Sequence, residues 1–290
     1  MINMDAAEDR LSNTGRIPDG VTQIGTITKY ELINYFRSKR FYILLAIGLI
    51  VSALLTFLVA YYRPASFLVS DLTFYSTWWG SSVTFVIILS AIFFGGDSIS
   101  GEFQNKTGYY LVSRPVRRSS IYIGKYLASF IASLIIVLIF LGIALGNGIY
   151  YFGLTVPVAI FESLAFAILY LVSVLGFAFF FSSLFKSSSY SILITAILFL
   201  FVFTLVQDLV SSLVGIEPWF MITYGSSIIS NIFISPYPAH VVTTISTFGH
   251  RSITTTTYNA SVLEGIIIMF GYFIISAILG LIIFENKEFN

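Results

Sequence analysis

Phe41-Tyr-Ile-Leu-Leu-Ala-Ile-Gly-Leu-Ile-Val51 decides the fold, because it is apolar on every side. A helix with one flank in water would break such a run with polar residues every three or four positions. A membrane-barrel strand would alternate apolar and polar residues over ~10 positions. This run does neither, and it stays apolar to Tyr61. A bilayer core of ~30 Å needs about 20 apolar residues rising about 1.5 Å each. Lipid offers backbone groups no hydrogen-bond partner, so the run is a membrane-spanning helix.

Working outward, Thr77–Phe94, Lys125–Tyr150, Tyr190–Val206 with its flanks, and Gly265–Phe284 meet the same test. Val156–Leu184 is longer and carries Glu162 near one end, where a charge costs less than the ~3 kcal/mol of a helix centre. Composition agrees: 57% of residues are hydrophobic and 10% charged, with mean hydropathy +0.91. A soluble domain carries roughly 25% charged residues. The expected fold is an all-α integral membrane protein with six transmembrane helices. There are no cysteines, which excludes disulfides and thiolate chemistry, and the net charge of +1 predicts no nucleic-acid partner.

Of the 15 basic residues, only Arg63 and Arg251 fall outside when the N-terminus is placed in the cytoplasm. The positive-inside rule then predicts that both termini are cytoplasmic and that the chain sits in the cell membrane. Tyr61, Tyr62, Trp78, Trp79, Tyr150 and Tyr151 are expected as interfacial anchors at the outer side. Trp219–Ile234 is short, contains Gly225, Ser226, Ser227, Ser230 and Asn231, and ends near Pro236 and Pro238. It reads as a re-entrant outer hairpin between spans five and six. A seventh span would move Arg251 inside and Lys287 outside, so charge bias alone does not decide between them.

The polar stretch 1–24 lacks the basic-then-apolar pattern of a signal peptide and reads as a cytoplasmic tail. Residues 25–40 read as an amphipathic connecting helix, with Ile27, Tyr30, Ile33 and Phe36 on one stripe and Lys29, Arg37, Lys39 and Arg40 near lipid phosphates. Residues 41–290 form the transmembrane domain, with a cytoplasmic loop at 95–125 and an outer segment at 208–262.

Within that loop, Asp97 or Ser98 caps a short helix, and Asp97 and Glu102 set negative charge at its positive end. Ser113-Arg114-Pro115 is a cap-then-proline start for span three. The order Asp97-Ser-Ile-Ser-Gly-Glu102, Lys106-Thr-Gly108, Ser113-Arg-Pro-Val-Arg-Arg118 and Ile123-Gly-Lys125 resembles the membrane subunits of ABC-2 type exporters. Lys29-Tyr-Glu-Leu-Ile-Asn-Tyr-Phe-Arg37 resembles the connecting helix of that family. The likeness covers most of the chain from Gly25 onward; it is specific in the loop and generic elsewhere.

The resemblance implies a permease subunit that pairs with a second membrane subunit, identical or not, and with cytoplasmic ABC ATPase subunits that hold ATP and magnesium. It also implies that the loop after span two supplies a coupling helix seated on the ATPase. By matching position, Asp97, Ser100, Gly101, Glu102 and Phe103 lie in or beside that helix, and Arg114, Pro115 and Arg117 at the base of span three. A phosphate-cradling Gly-x-x-x-x-Gly-Lys-Ser/Thr loop is absent: Gly124-Lys125 is followed by Tyr126, and Ser119 occupies the upstream glycine position. The chain binds no cofactor of its own in this reading and is not an enzyme. A non-transporting scaffold or sensor that recruits a cytoplasmic partner through Asp97–Arg118 is the alternative. An ion-driven transporter would place ionisable residues at mid-membrane, and here they are peripheral.

Glu162, Asp208 and Glu264 fall near outer helix ends. Interfacial solvation accounts for them at little cost, and an acidic rim on a translocation path is the functional alternative. His240 and His250 are too few for a metal site that needs ~4 ligands, so no metal is expected. Gly142-Ile-Ala-Leu-Gly146 fits the small-xxx-small pattern of close helix packing, within one subunit or across two. Asn259-Ala-Ser261 fits a glycosylation acceptor. Hydrolase and metalloprotease signatures are absent.

Overall fold

The computed structural model describes residues 19–64, 68–106, 116–248 and 251–287. It contains six helices long and apolar enough to cross a membrane. Helix α1, Gly20–Arg37, precedes the first span α2, Lys39–Tyr62. The second span, α3, runs over 71–95 through a π-helical turn at Ser76–Gly80 and leads into a short helix α4, Ser100–Gln104. Next come spans α5, Arg118–Phe152, α6, Ala159–Leu184, and α7, Ser188–Ser212. Short helices α8, Ile222–Ser226, and α9, Ile228–Asn231, then strands β1, Val241–Phe248, and β2, Arg251–Tyr258, lead to the last span α10, Val262–Asn286.

Burial grades the spans by position. In α3, 67% of the apolar window is buried, against 17% in α7 and α10 and 22% in α2. The centre of the bundle is therefore α3, packed between α5 and α6, while α6 and α10 run along one another. Peripheral spans expose apolar side chains such as Leu54, Phe57, Phe201, Leu205, Ile267 and Phe270, as helices that face lipid do.

Several sequence expectations shift. Helix α1 starts at Gly20, where the Asp19 side chain accepts the Gly20 N–H, so it takes in residues read as tail. Its inward face is Gln23, Ile27, Glu31 and Tyr35, whereas Tyr30, expected on the apolar stripe, is 64% exposed. The helix is laid against α5: Thr28 donates to the Gly124 carbonyl at 3.1 Å, and a Cβ on Gly124 would meet Ile27 at 2.8 Å. Trp78 and Trp79 are fully buried rather than interfacial. Trp78 stacks on Phe140, and the Trp79 indole N–H donates to Ser163 Oγ at 2.9 Å. The Trp79 ring thus pairs its one polar atom inside the bundle, while Trp78 contributes its ring face to the core.

The Trp219–Ile234 segment is no span. Its short helices lie buried against the ends of α3, α6 and α10: Ser76 donates to the Ser230 carbonyl at 3.0 Å and Ser163 to that of Ile229 at 2.7 Å. Beyond it lies a β-ribbon that the sequence did not announce. Val241–Phe248 pairs antiparallel with Arg251–Tyr258, from Val241 opposite Tyr258 to Phe248 opposite Arg251. Its run of Val, Thr and Ile has the β-branched content strands favour.

Gly142 and Gly146 face open space, and an added Cβ would meet nothing within 4 Å. Two residues beyond Gly146, Gly148 does pack: a Cβ there would lie 2.0 Å from Tyr75 Oη. Gly148→Ala should therefore destabilise the bundle by about 1–3 kcal/mol through overpacking. Gly142→Ala and Gly146→Ala should leave the isolated chain unchanged. Thermal unfolding of the three purified variants in detergent checks this ordering.

Candidate functional site

The end of the bundle that carries α1 and α4 gathers charges from distant parts of the sequence. Lys125 lies two turns inside α5, where its side chain is only 6% exposed. Its ammonium meets Glu31 of α1 and, at 2.7 Å, Glu102 of α4. Beside it Arg40, at the start of α2, pairs with Asp97. These five residues line one cleft of about 290 Å³. Burying an ammonium costs several kcal/mol unless it is paired, and two carboxylates on two helices supply the pairing. Each partner thereby fixes its helix relative to α5.

Tyr35 reinforces the joint from α1. Its hydroxyl contacts the Phe94 carbonyl at 3.1 Å, Ser98 Oγ at 3.0 Å and Ser129 Oγ at 2.9 Å. Burial pushes its ionisation above the ordinary tyrosine range, so it stays a neutral donor and acceptor.

Helix α4 is held by three further spans. The Ile99 and Ser100 backbone N–H groups donate to Ser182 Oγ of α6 at 2.9 and 3.0 Å. Gln104 Oε1 accepts the Ser188 N–H at the start of α7, at 2.7 Å. Phe103 packs edge-on to Phe284 of α10, and Lys287 sits 4.4 Å above the Phe103 ring. Lys287 also donates to the carbonyls of Ser183, Leu184 and Phe185, which end α6, at 2.7, 3.2 and 2.9 Å. Burial, and then the nearby Lys186, pull its ammonium down to about 8. Arg118 donates to the Glu285 and Lys287 carbonyls at 2.7 and 3.0 Å, closing the end of α10. Unsatisfied carbonyls at helix C-termini attract cations, so basic residues are the natural ligands here.

Of the residues matched by resemblance, Asp97, Ser100, Gly101, Glu102 and Phe103 thus lie in or beside α4, and the side chains of Asp97, Glu102 and Phe103 turn inward. Arg117 precedes α5, and its N–H donates to Gln23 Oε1 of α1 at 3.2 Å. Arg114 and Pro115 lie outside the described residues. Sequence reading missed Glu31, Tyr35 and Ser182 and treated Lys125 as the mere edge of a span. A lone ammonium inside an apolar run was the available signal.

Residues 25–289 match the profile of the family described as ABC-2 family transporter protein. The chain belongs to that family. Among curated proteins none matches it. This ABC-2 permease is a membrane transporter subunit, and the joint around α4 ties together several of its helices.

At the opposite end, Glu162 and Asp208 are exposed and Glu264 is half-buried. Asn259 and Ser261 have structural work: Asn259 Nδ2 donates to the Ala239 carbonyl at 2.9 Å, and Ser261 forms a capping box with Glu264.

Lys125→Met should unfold the junction at a cost of about 3–5 kcal/mol, because two carboxylates lose their shared cation. Adding Glu31→Gln and Glu102→Gln to that variant should recover most of the loss. Melting temperatures of the single and triple variants in detergent test this; a triple variant no better than the single one would refute the ion cluster as the cause.

Proposed function

We propose that this permease is the membrane half of an ATP-driven exporter, with α4 receiving work from a cytoplasmic ABC ATPase and passing it to the spans. The observation that carries this reading is the set of bonds on α4. Its short stretch of chain is tied to α5, α6, α7 and α10 and, through Lys125, to α1, so a push on α4 is delivered to all of them together. Packed interfaces switch between discrete arrangements rather than deforming smoothly, which suits a two-state transport cycle.

The inward side chains of α4 divide the labour within the motif. Asp97, Glu102 and Phe103 hold the helix to the permease. Gln104, Asn105 and Lys106 are exposed and offer the surface a partner would touch. A scaffold that merely recruits a partner would need the exposed face alone, and gives no reason for the bonds behind it.

The basic residues support placing α1 and α4 in the cytoplasm, since all but Arg63 and Arg251 of the 15 fall on that side or in the flanking chain. ATP and magnesium belong to the partner ATPase. A second membrane subunit fits the apolar exposure of α2 and α7 and the open face around Gly142 and Gly146.

The absence of cysteine makes single-cysteine reporters clean. Asn105→Cys should resist an impermeant maleimide on intact cells and react after permeabilisation, while Tyr62→Cys should react at once. The reverse pattern would invert the topology and remove α4 from the ATPase side. With a co-expressed ATPase, Asn105→Asp with Lys106→Glu should weaken capture about tenfold, or ~1.4 kcal/mol, with unchanged melting temperature. Full ATP-driven transport by that double variant would refute the coupling role.

A further inference from the structure

At the end of the bundle opposite α4, three side chains from separate stretches converge: Glu217 after α7, His240 just before β1, and Glu264 in the first turn of α10. One ligand atom from each lies within 4.8 Å of the others. The sequence expectation of no metal rests on there being two histidines, of which His250 lies outside the described residues. Folding supplies carboxylates instead.

Both imidazole nitrogens face oxygen. Nδ1 is 3.0 Å from the Asn259 carbonyl oxygen and 3.8 Å from Glu264 Oε2, and Nε2 is 3.2 Å from Glu217 Oε2. A neutral imidazole has one N–H and one lone pair. With the proton on Nδ1 and given to Asn259, the Nε2 lone pair points at a carboxylate oxygen, an arrangement that a bound metal ion would satisfy.

The flanking bonds orient these groups as the outer partners of metal ligands do. Tyr224 Oη donates to Glu217 Oε1 at 2.8 Å, which turns the other oxygen toward His240. Asn259 is fixed by its N–H on the His240 carbonyl at 2.8 Å. Glu264 Oε2 accepts the Ser261 N–H at 2.8 Å, and its carboxylate, 42% exposed, retains a second oxygen to offer.

We propose that Glu217, His240 and Glu264 bind a dication of the zinc class. Zinc bonds to nitrogen and oxygen of about 2.0–2.2 Å put neighbouring tetrahedral ligands roughly 3.3 Å apart, close to the Nε2–Oε2 separation seen here. Calcium and magnesium want six or more oxygens, and an imidazole ligand argues against both. The ion would join the loop after α7, the base of the β-ribbon and the last span. This site is independent of how the permease is driven.

The test is titration of the detergent-purified full chain with Zn²⁺, followed by calorimetry and thermal shift, with His250→Ala present throughout so that His240 is the sole histidine. One Zn²⁺ should bind per chain and raise the melting temperature, reversibly with EDTA. His240→Ala and the isosteric Glu217→Gln should each weaken binding at least about tenfold. Glu217→Gln keeps the test decisive if His240→Ala folds poorly. Binding that is absent, unchanged in Glu217→Gln, or matched by Ca²⁺ overturns the proposal.

Discussion

A single buried ammonium sets the geometry of the charged end of this permease. Lys125 is placed by α5 where water does not reach it freely, and it is tolerable there only because α1 and α4 each bring a carboxylate. Electrostatic attraction strengthens as the local dielectric falls, and so does the penalty for any arrangement that leaves the charge alone. One register of α1 on α5 lets Glu31 reach it, and one placement of α4 lets Glu102 do so. The cluster is thus a device for specificity more than for stability, since apolar replacements of such clusters are often no less stable.

The remaining cations extend the same logic to helix ends. Lys287 closes α6 and Arg118 closes α10, each by donating to carbonyls that the helix itself leaves unpaired. Basic residues near membrane helix ends are usually counted for orientation. Here two of them also fasten the end of the last span to the middle of the bundle, and Phe103 lies beneath one of them. The short helix α4 therefore rests on a floor built from the C-terminal ends of two spans.

The spans were legible because lipid demands long uninterrupted apolar runs, and nothing else in a sequence looks like Phe41–Tyr61. Their order of burial was not, since every run is apolar all round; only packing separates central α3 from peripheral α7. Trp78 and Trp79 misled for that reason: amphipathic rings fit an interface, but here Trp78 stacks on buried Phe140 and Trp79 bonds buried Ser163. The residues of α4 were found by motif, but their direction was not, because Glu102 facing inward depends on Lys125 and Glu31, far away in sequence. The β-ribbon went unread in a Thr-rich stretch flanked by helices. The pairing of His240 with Glu217 and Glu264 needed the folded outer segment to exist first.

Ser38 is the one residue between α1 and α2, and it serves both. Its hydroxyl donates to the Tyr35 carbonyl at 2.8 Å, closing α1, and accepts the Phe41 N–H at 3.4 Å, opening α2. With α1 clamped to α5 by Glu31 and Thr28, this serine is the elbow at which the chain turns into the first span. The direction in which the first span leaves α1 is therefore set at a single extended residue, between two helices that each keep their terminal turn.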